Sequence, residues 1–228
     1  MIAINRSVTR LILLAALGFA MLMMSSKVFF YRPLLGMPGG KTFVIETAVL
    51  LIAYAVVVLW TTDGDTPVRH SMLLATPLGL IGGLIQIASM TQEEFKDLGP
   101  HGNGIVGFGL LFCTFTAWGI AGFRAARRTG DVRCGAMAGL WCAVITMSMV
   151  VLFGFAVAFY LAVPKPEYVV TWGEFKRSGW TDVHAFTIAN TLDSAFSHLF
   201  TGPVLGAILG GGASLLARFQ LKRQLDAA

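Results

Sequence analysis

Four residues capable of chemistry stand close together in the chain: His184, Asn190, Asp193 and His198. Imidazole, amide and carboxylate groups can hold a metal ion or relay a proton. Their spacing argues against a shared ion. On one helix, His184 and His198 would lie roughly 21 Å apart, at about 1.5 Å per residue. Asp193 and His198 also lack the i, i+4 spacing of a helical ligand pair. Asn190, Asp193 and Ser197 do fall on one face. The leading reading is a polar helix face, with no metal and no cofactor. The alternative is an outer-face His/Asp enzyme site, which would need His101 or Glu94 to converge on it.

Two further polar residues stand inside apolar stretches, Glu46 and Gln86. An ionisable group at such a position is a functional hypothesis by default. Glu46 lies near the end of its stretch, with Lys41 and Arg32 in reach, so pairing with a neighbouring cation is the expectation. Thr114, Thr116, Thr146 and Ser148 can hydrogen-bond within their own helices. The segment GNGIVG, Gly102 to Gly107, matches the letters of a dinucleotide-binding loop. That mechanism needs a preceding strand and an acidic residue about 20 positions on. Here an acidic polar stretch precedes it, and Arg124 and Arg127 stand near that offset. Cys113, Cys134 and Cys142 form no CxxC and cannot all pair, so they read as small apolar residues. No HExxH, GxSxG or Walker A motif is present.

The elements that carry these residues are apolar helices. Hydrophobic residues make up 56% of the chain and charged residues only 13%, against roughly 25% charged in soluble domains. Mean hydropathy is +0.73. About 20 apolar residues cross a bilayer as a helix, and six stretches qualify: 11–30, 42–60, 72–90, 104–123, 135–163 and 199–217. Barrel-type alternation is absent. The first stretch follows Arg6 and Arg10 as a signal peptide would, but no A-x-A site follows it, so an uncleaved anchor is expected. From Asp182 to His198, apolar residues recur at helical spacing opposite a polar face, which predicts an amphipathic helix. It would lie flat on the outer surface or run into the sixth span, with a kink at Gly202 and Pro203. Tyr168, Trp172, Phe175 and Trp180 precede it and suit a membrane interface. The fold class is therefore an all-α integral membrane protein. It is a polytopic bundle of about six transmembrane helices plus one outer-face amphipathic helix, forming a single domain over residues 1–228.

The net charge is +5, but the cations cluster at the ends of apolar runs. They read as topology signals rather than a nucleic-acid surface. With both termini cytoplasmic, the inner segments hold Arg6, Arg10, Arg69, Arg124, Arg127, Arg128, Arg133, Arg218, Lys222 and Arg223. The outer segments hold Lys27, Arg32, Lys41, Lys96, Lys165, Lys176 and Arg177. Short loops and the Arg-rich inner loop are in the style of a bacterial cytoplasmic membrane.

Small residues recur four apart: Gly79 and Gly83, Gly135 and Gly139, then Gly202, Gly206, Gly210 and Ser214. Such ladders let helix backbones approach closely in lipid, so these spans should pack tightly, within the chain or against another copy. TPLGLIGGL from Thr76 and TGPVLGAILGG from Thr201 look alike. They raise the prospect of a three-plus-three inverted repeat, with a transport site at Pro77, Gly79, Pro203 and Gly206. The principal expectation is a non-catalytic subunit or accessory protein of a membrane complex, partnered by lipid and by other membrane subunits or itself. A small-solute or ion transporter and the outer-face enzyme are the alternatives.

Overall fold

Side chains start several helices by accepting backbone N–H groups that would otherwise lack partners. Asn5 accepts from Ser7 and Val8, Asp131 from Arg133, and Asp182 from His184 and Ala185. A computed structural model describes residues 5–95 and 99–226, with the side chains of 93–95, 99–103 and 224–226 excepted. The described residues are helical, without strands. The elements are α1 (Arg6–Phe30), a 3₁₀ turn (Arg32–Gly36), α2 (Gly40–Thr62), α3 (Pro67–Phe95) and α4 (Gly99–Thr129). They continue as α5 (Val132–Ala156), a π-helical turn (Val157–Leu161), the short α6 (Pro166–Val169) and α7 (Gly173–Ser178), and α8 (Val183–Asp226). Six of these helices are long and apolar enough to cross a membrane.

The GNGIVG segment lies within α4 as continuous helix, so it forms no phosphate-binding turn after a strand. The helices alternate in direction. One end gathers Arg6, Arg10, Arg69, Arg124 and Arg128, and is called the arginine-rich end below. The other gathers Tyr31, Trp172 and Trp180, and is called the aromatic end. Across the arginine-rich end, Arg6 pairs with Asp65 at 2.7 Å and Arg10 donates to Thr62 at 2.8 Å.

Helix α5 is the core element. Two thirds of its apolar window (67%) is buried, against 22–44% for the other five. Its buried position depends on small residues. A Cβ on Gly206 of α8 would lie 2.6 Å from both the Gly139 carbonyl oxygen and the Ala143 Cβ. One on Gly210 would meet the Gly135 oxygen at 2.6 Å and the Gly139 Cα at 2.9 Å. Real Cβ atoms do not come that close, so only glycine fits at these crossings. Gly122 brings α4 to the same point, and Ser214 donates to both Gly122 and Gly210 carbonyls. Gly79 of α3 sits against the other side of α5, where a Cβ would be 2.9 Å from the Cys142 oxygen and the Ile145 Cβ. The glycine ladders of α3 and α8 thus both close on α5, which stands between them.

Hydroxyl and indole groups tie the helices at the same contacts. Trp118 donates to Thr146 at 3.2 Å, Thr146 reaches the Gly79 carbonyl at 3.0 Å, and Trp141 donates to Thr76 at 3.0 Å. Helix α2 does this for α8. Thr47 donates to the Leu192 carbonyl at 3.0 Å and Tyr54 to the Leu199 carbonyl at 2.9 Å. The second bond has a specific cause. Pro203 lies inside α8 and has no N–H to give the carbonyl four residues before it, which is Leu199. Tyr54 supplies the missing donor.

The segment 182–198 takes the second of its two expected forms, running on into the sixth span rather than lying flat on the surface. It forms the first part of α8, which runs unbroken for 44 residues, roughly 66 Å at about 1.5 Å per residue. Its apolar face is buried through Ala185, Ile188, Ala189, Leu192 and Ala195. Phe175 and Trp180 pack edge-on against Phe186 at 5.1 and 6.2 Å. The aromatic loop therefore covers this helix with two of its four rings, while Tyr168 stays 63% exposed.

Tyr54→Phe should lower stability by about 1–2 kcal/mol, because the Leu199 carbonyl is left buried without a donor. In a Pro203→Ala background the backbone N–H returns and the same change should cost less, with a coupling of about 0.5 kcal/mol or more. Equal costs in the two backgrounds, measured by denaturant unfolding in detergent, would refute this account of Tyr54.

Candidate functional site

Below its capped start, α8 presents Thr187, Asn190, Thr191, Ser194 and His198 along one side. These residues and the end of α5 line an open cavity of about 250 Å³, at which Asn190, Ser194 and His198 are exposed and whose apolar wall includes Met90, Val150, Gly154, Phe155 and Trp172. Past Met90, Val150, Ser194 and His198 it continues into a wider cleft of about 540 Å³. That part is lined by Gln86 and Ser89 of α3 and by Phe108 and Leu111 of α4. The site thus spans four helices at the aromatic end.

The cleft lining holds no carboxylate, lysine or arginine, and part of its hydrogen-bonding capacity is uncommitted. His198 places Nδ1 2.7 Å from the Ser194 carbonyl oxygen. A carbonyl only accepts, so Nδ1 is the donor of this bond, and Nε2 makes no hydrogen bond among the described residues. Gln86 donates its amide to Thr114 at 2.9 Å, which leaves its oxygen as an acceptor. The Ser89 side chain is buried, with no hydrogen bond among the described residues. Asn190 and the Ser194 hydroxyl also lack described partners. Thr187 and Thr191 donate back to their own helix. The chemistry on offer is hydrogen bonding from amide, hydroxyl and imidazole groups beside an apolar wall.

The sequence-derived residues divide by position. His198 stands where the two parts of the cleft join, with Asn190 lining the first part and Gln86, from a different helix, lining the second. Asp193 is exposed on α8 outside the cleft lining, and Glu46 sits half-buried on α2. Glu46 makes no ion pair among the described residues, with neither Lys41 nor Arg32, and Arg32 instead lies 5.5 Å over the Phe29 ring. His184, Asp193 and His198 do not converge, and no cluster of three metal-binding side chains occurs among the described residues. The side chains of His101, Glu93 and Glu94, together with Lys96 and Asp97, lie outside the described residues. Sequence reasoning missed Ser89 and Met90. The available signal was their spacing, i+3 and i+4 from Gln86, which places all three on one helical face.

His184 belongs to a second arrangement, which anchors the start of α8. Tyr31, just after α1, donates to Asp182 Oδ2 at 2.6 Å, and its ring meets His184 edge-on at 5.0 Å. The hydrogen bond to Asp182, with burial and the carboxylate charge, pushes the Tyr31 phenol up to about 12. For Asp182, burial favours the neutral acid. It is outweighed by hydrogen bonds from Tyr31, Ala185 and His184 and by the His184 charge, so the carboxyl falls below its usual range. Tyr31 and Asp182 therefore tie the end of α1 to the start of α8, which holds the cleft wall in place.

No protein-family model, no curated protein and no solved structure matches this chain.

The pH dependence follows from the two directions. The raised Tyr31 contributes stability that is complete below the ordinary tyrosine value of 10.0 and is lost as pH rises towards about 12. The lowered Asp182 contributes stability present above 3.8 and lost as pH falls through its depressed folded value. Following phenolate absorbance, Asp182→Asn should bring Tyr31 back towards 10.0. An unchanged titration curve would break the assignment of Asp182 as the cause.

Proposed function

We propose that this chain is an integral membrane protein of six spans, a non-catalytic subunit or accessory protein that holds a neutral amphipathic partner group in the aromatic-end cleft. The membrane part rests on the inverted faces of α2. Its outward side is aliphatic, with Ile45, Val49, Ile52, Val56 and Leu59 all 44–61% exposed. Its inward side carries Thr47, Tyr54 and Thr61, all under 5% exposed. A soluble helix would turn the hydroxyls to water and bury the aliphatics. Hydrocarbon as the outer solvent accounts for the reverse.

Orientation follows from charge. The Arg124–Arg133 turn and the cations after Ala217 lie at the arginine-rich end, which faces the cytoplasm on this reading. The aromatic end and its cleft then face outward, in a bacterial cytoplasmic membrane.

The binding role rests on the donors and acceptors that the cleft leaves unused beside its apolar wall. A partner group with an apolar body and one hydrogen-bonding function satisfies both parts. The transport reading has less support, because α5 fills the space between the glycine-bearing parts of α3 and α8. The enzyme reading has less support because its three named residues stand apart.

Alkaline carbonate treatment of membranes should leave the chain in the pellet, and release into the supernatant would refute membrane integration. In a cysteine-free background, Cys introduced at Gly130 should resist an impermeant thiol reagent in intact cells, and Cys introduced at Ser178 should react. The opposite pattern would invert the orientation. A photo-crosslinking residue at Ser194 should yield an adduct in native membranes that is absent from the same residue at Asp193. Equal labelling at both positions would remove the cleft as the contact site.

A further inference from the structure

A second cavity lies at the opposite end of the bundle, between α3 and α4. It measures about 60 Å³ and is lined by Ser71, Leu74 and Leu78 from α3 and by Ala121, Arg124 and Arg128 from α4, among others. One water needs roughly 10–15 Å³ of such space. The slot therefore holds about four to six atoms of that size, enough for one tetrahedral anion.

Three features fit an anion site better than a packing gap. Arg124 and Arg128 are one turn apart on α4 and both border the slot. Like charges at that spacing repel, and neither residue has an ion pair or hydrogen bond among the described residues. The acids of this end among the described residues are otherwise engaged. Asp65 pairs with Arg6, Asp63 stands 3.9 Å from Arg10, and Asp131 caps α5. The third feature is Ser71, only 5% exposed and without a hydrogen bond among the described residues. A helical serine in an apolar setting ordinarily bonds the preceding turn. This one borders the slot and has its hydroxyl to give.

We propose that the Ser71–Arg124–Arg128 slot binds a phosphate group, with both guanidinium groups pairing its oxygens and the Ser71 hydroxyl donating a further bond. Guanidinium forks match phosphate oxygens in geometry and charge. Leu74 and Leu78 continue from Ser71 along the same face of α3, which gives an apolar chain attached to that phosphate a track into the bundle. An anionic phospholipid and free phosphate share this chemistry. The lipid source rests on the membrane reading above, and the phosphate site itself does not.

The test uses the purified full chain in uncharged detergent and follows its unfolding midpoint. The probes are dioctanoyl phosphatidic acid, dioctanoyl phosphatidylcholine and inorganic phosphate. Phosphatidic acid should raise the midpoint saturably, and phosphatidylcholine, whose cation opposes the arginine pair, should do so much less. Arg124→Gln with Arg128→Gln should weaken phosphatidic acid binding by about tenfold or more, and Ser71→Ala by about fivefold. Arg127→Gln is the control. That guanidinium lies 5.9 Å over the Phe123 ring and does not border the slot, so its loss should leave affinity unchanged. If inorganic phosphate competes, the site takes free anion as well. If it does not, the source is lipid. An equal loss in the Arg127 variant, or no saturable shift with any phosphate probe, would overturn the site. Carbonate extraction reports independently on the membrane reading, so the two failures are distinguishable.

Discussion

The contact between α5 and α8 depends on what is missing from Gly139, Gly206 and Gly210. With no Cβ between them, the two backbones pack against each other and carbonyl oxygens of one helix lie against Cα atoms of the other. Such contacts are individually weak, but they recur over several turns and do not require water to drive them. Gly122 admits α4 to the same crossing, and Ser214 adds hydrogen bonds to two helices at once. A larger side chain at this crossing would separate three helices rather than two.

Close approach leaves polar atoms in places that water does not reach, and the bundle pairs them with unusual economy. Thr146 accepts from Trp118 and reaches two carbonyls, one on its own helix and one on α3. Tyr54 gives the Leu199 carbonyl the donor that Pro203 removed. Against that background the unused groups at the two ends stand out. Ser89, Asn190 and Ser194 at the aromatic end, and Ser71 at the arginine-rich end, are buried or border cavities without a described partner.

The two cavities differ in the partner they fit. The aromatic-end cleft has no carboxylate, lysine or arginine in its lining and a broad apolar wall, which suits an uncharged group. The arginine-rich slot is small and cationic, which suits an anion. In the proposed bilayer they would lie at opposite surfaces, each beside the chemistry it could take from lipid or from a partner. The filled α5 contacts between them leave each site to be read separately.

The order of six apolar helices, their alternation and the partition of arginine between the two ends are legible in the chain. Each is a local property, set by run length, mean hydropathy and the charge of the flanking loops. The glycine ladders were legible too, as spacing. Their partner was not, because spacing marks a surface that can be approached without specifying the approaching helix. Tertiary structure made α5 that partner for both ladders, where likeness between the third and sixth spans had raised the prospect of an inverted repeat. It also brought Gln86 and Asn190 to the two parts of a cleft that join at His198 while leaving Asp193 and His184 apart, and it ran segment 182–198 into the sixth span. These outcomes depend on which distant helices pack together. Sequence separations of a hundred residues carry no periodic signal of that kind, whereas a Cβ that would strike a neighbouring carbonyl decides it at once.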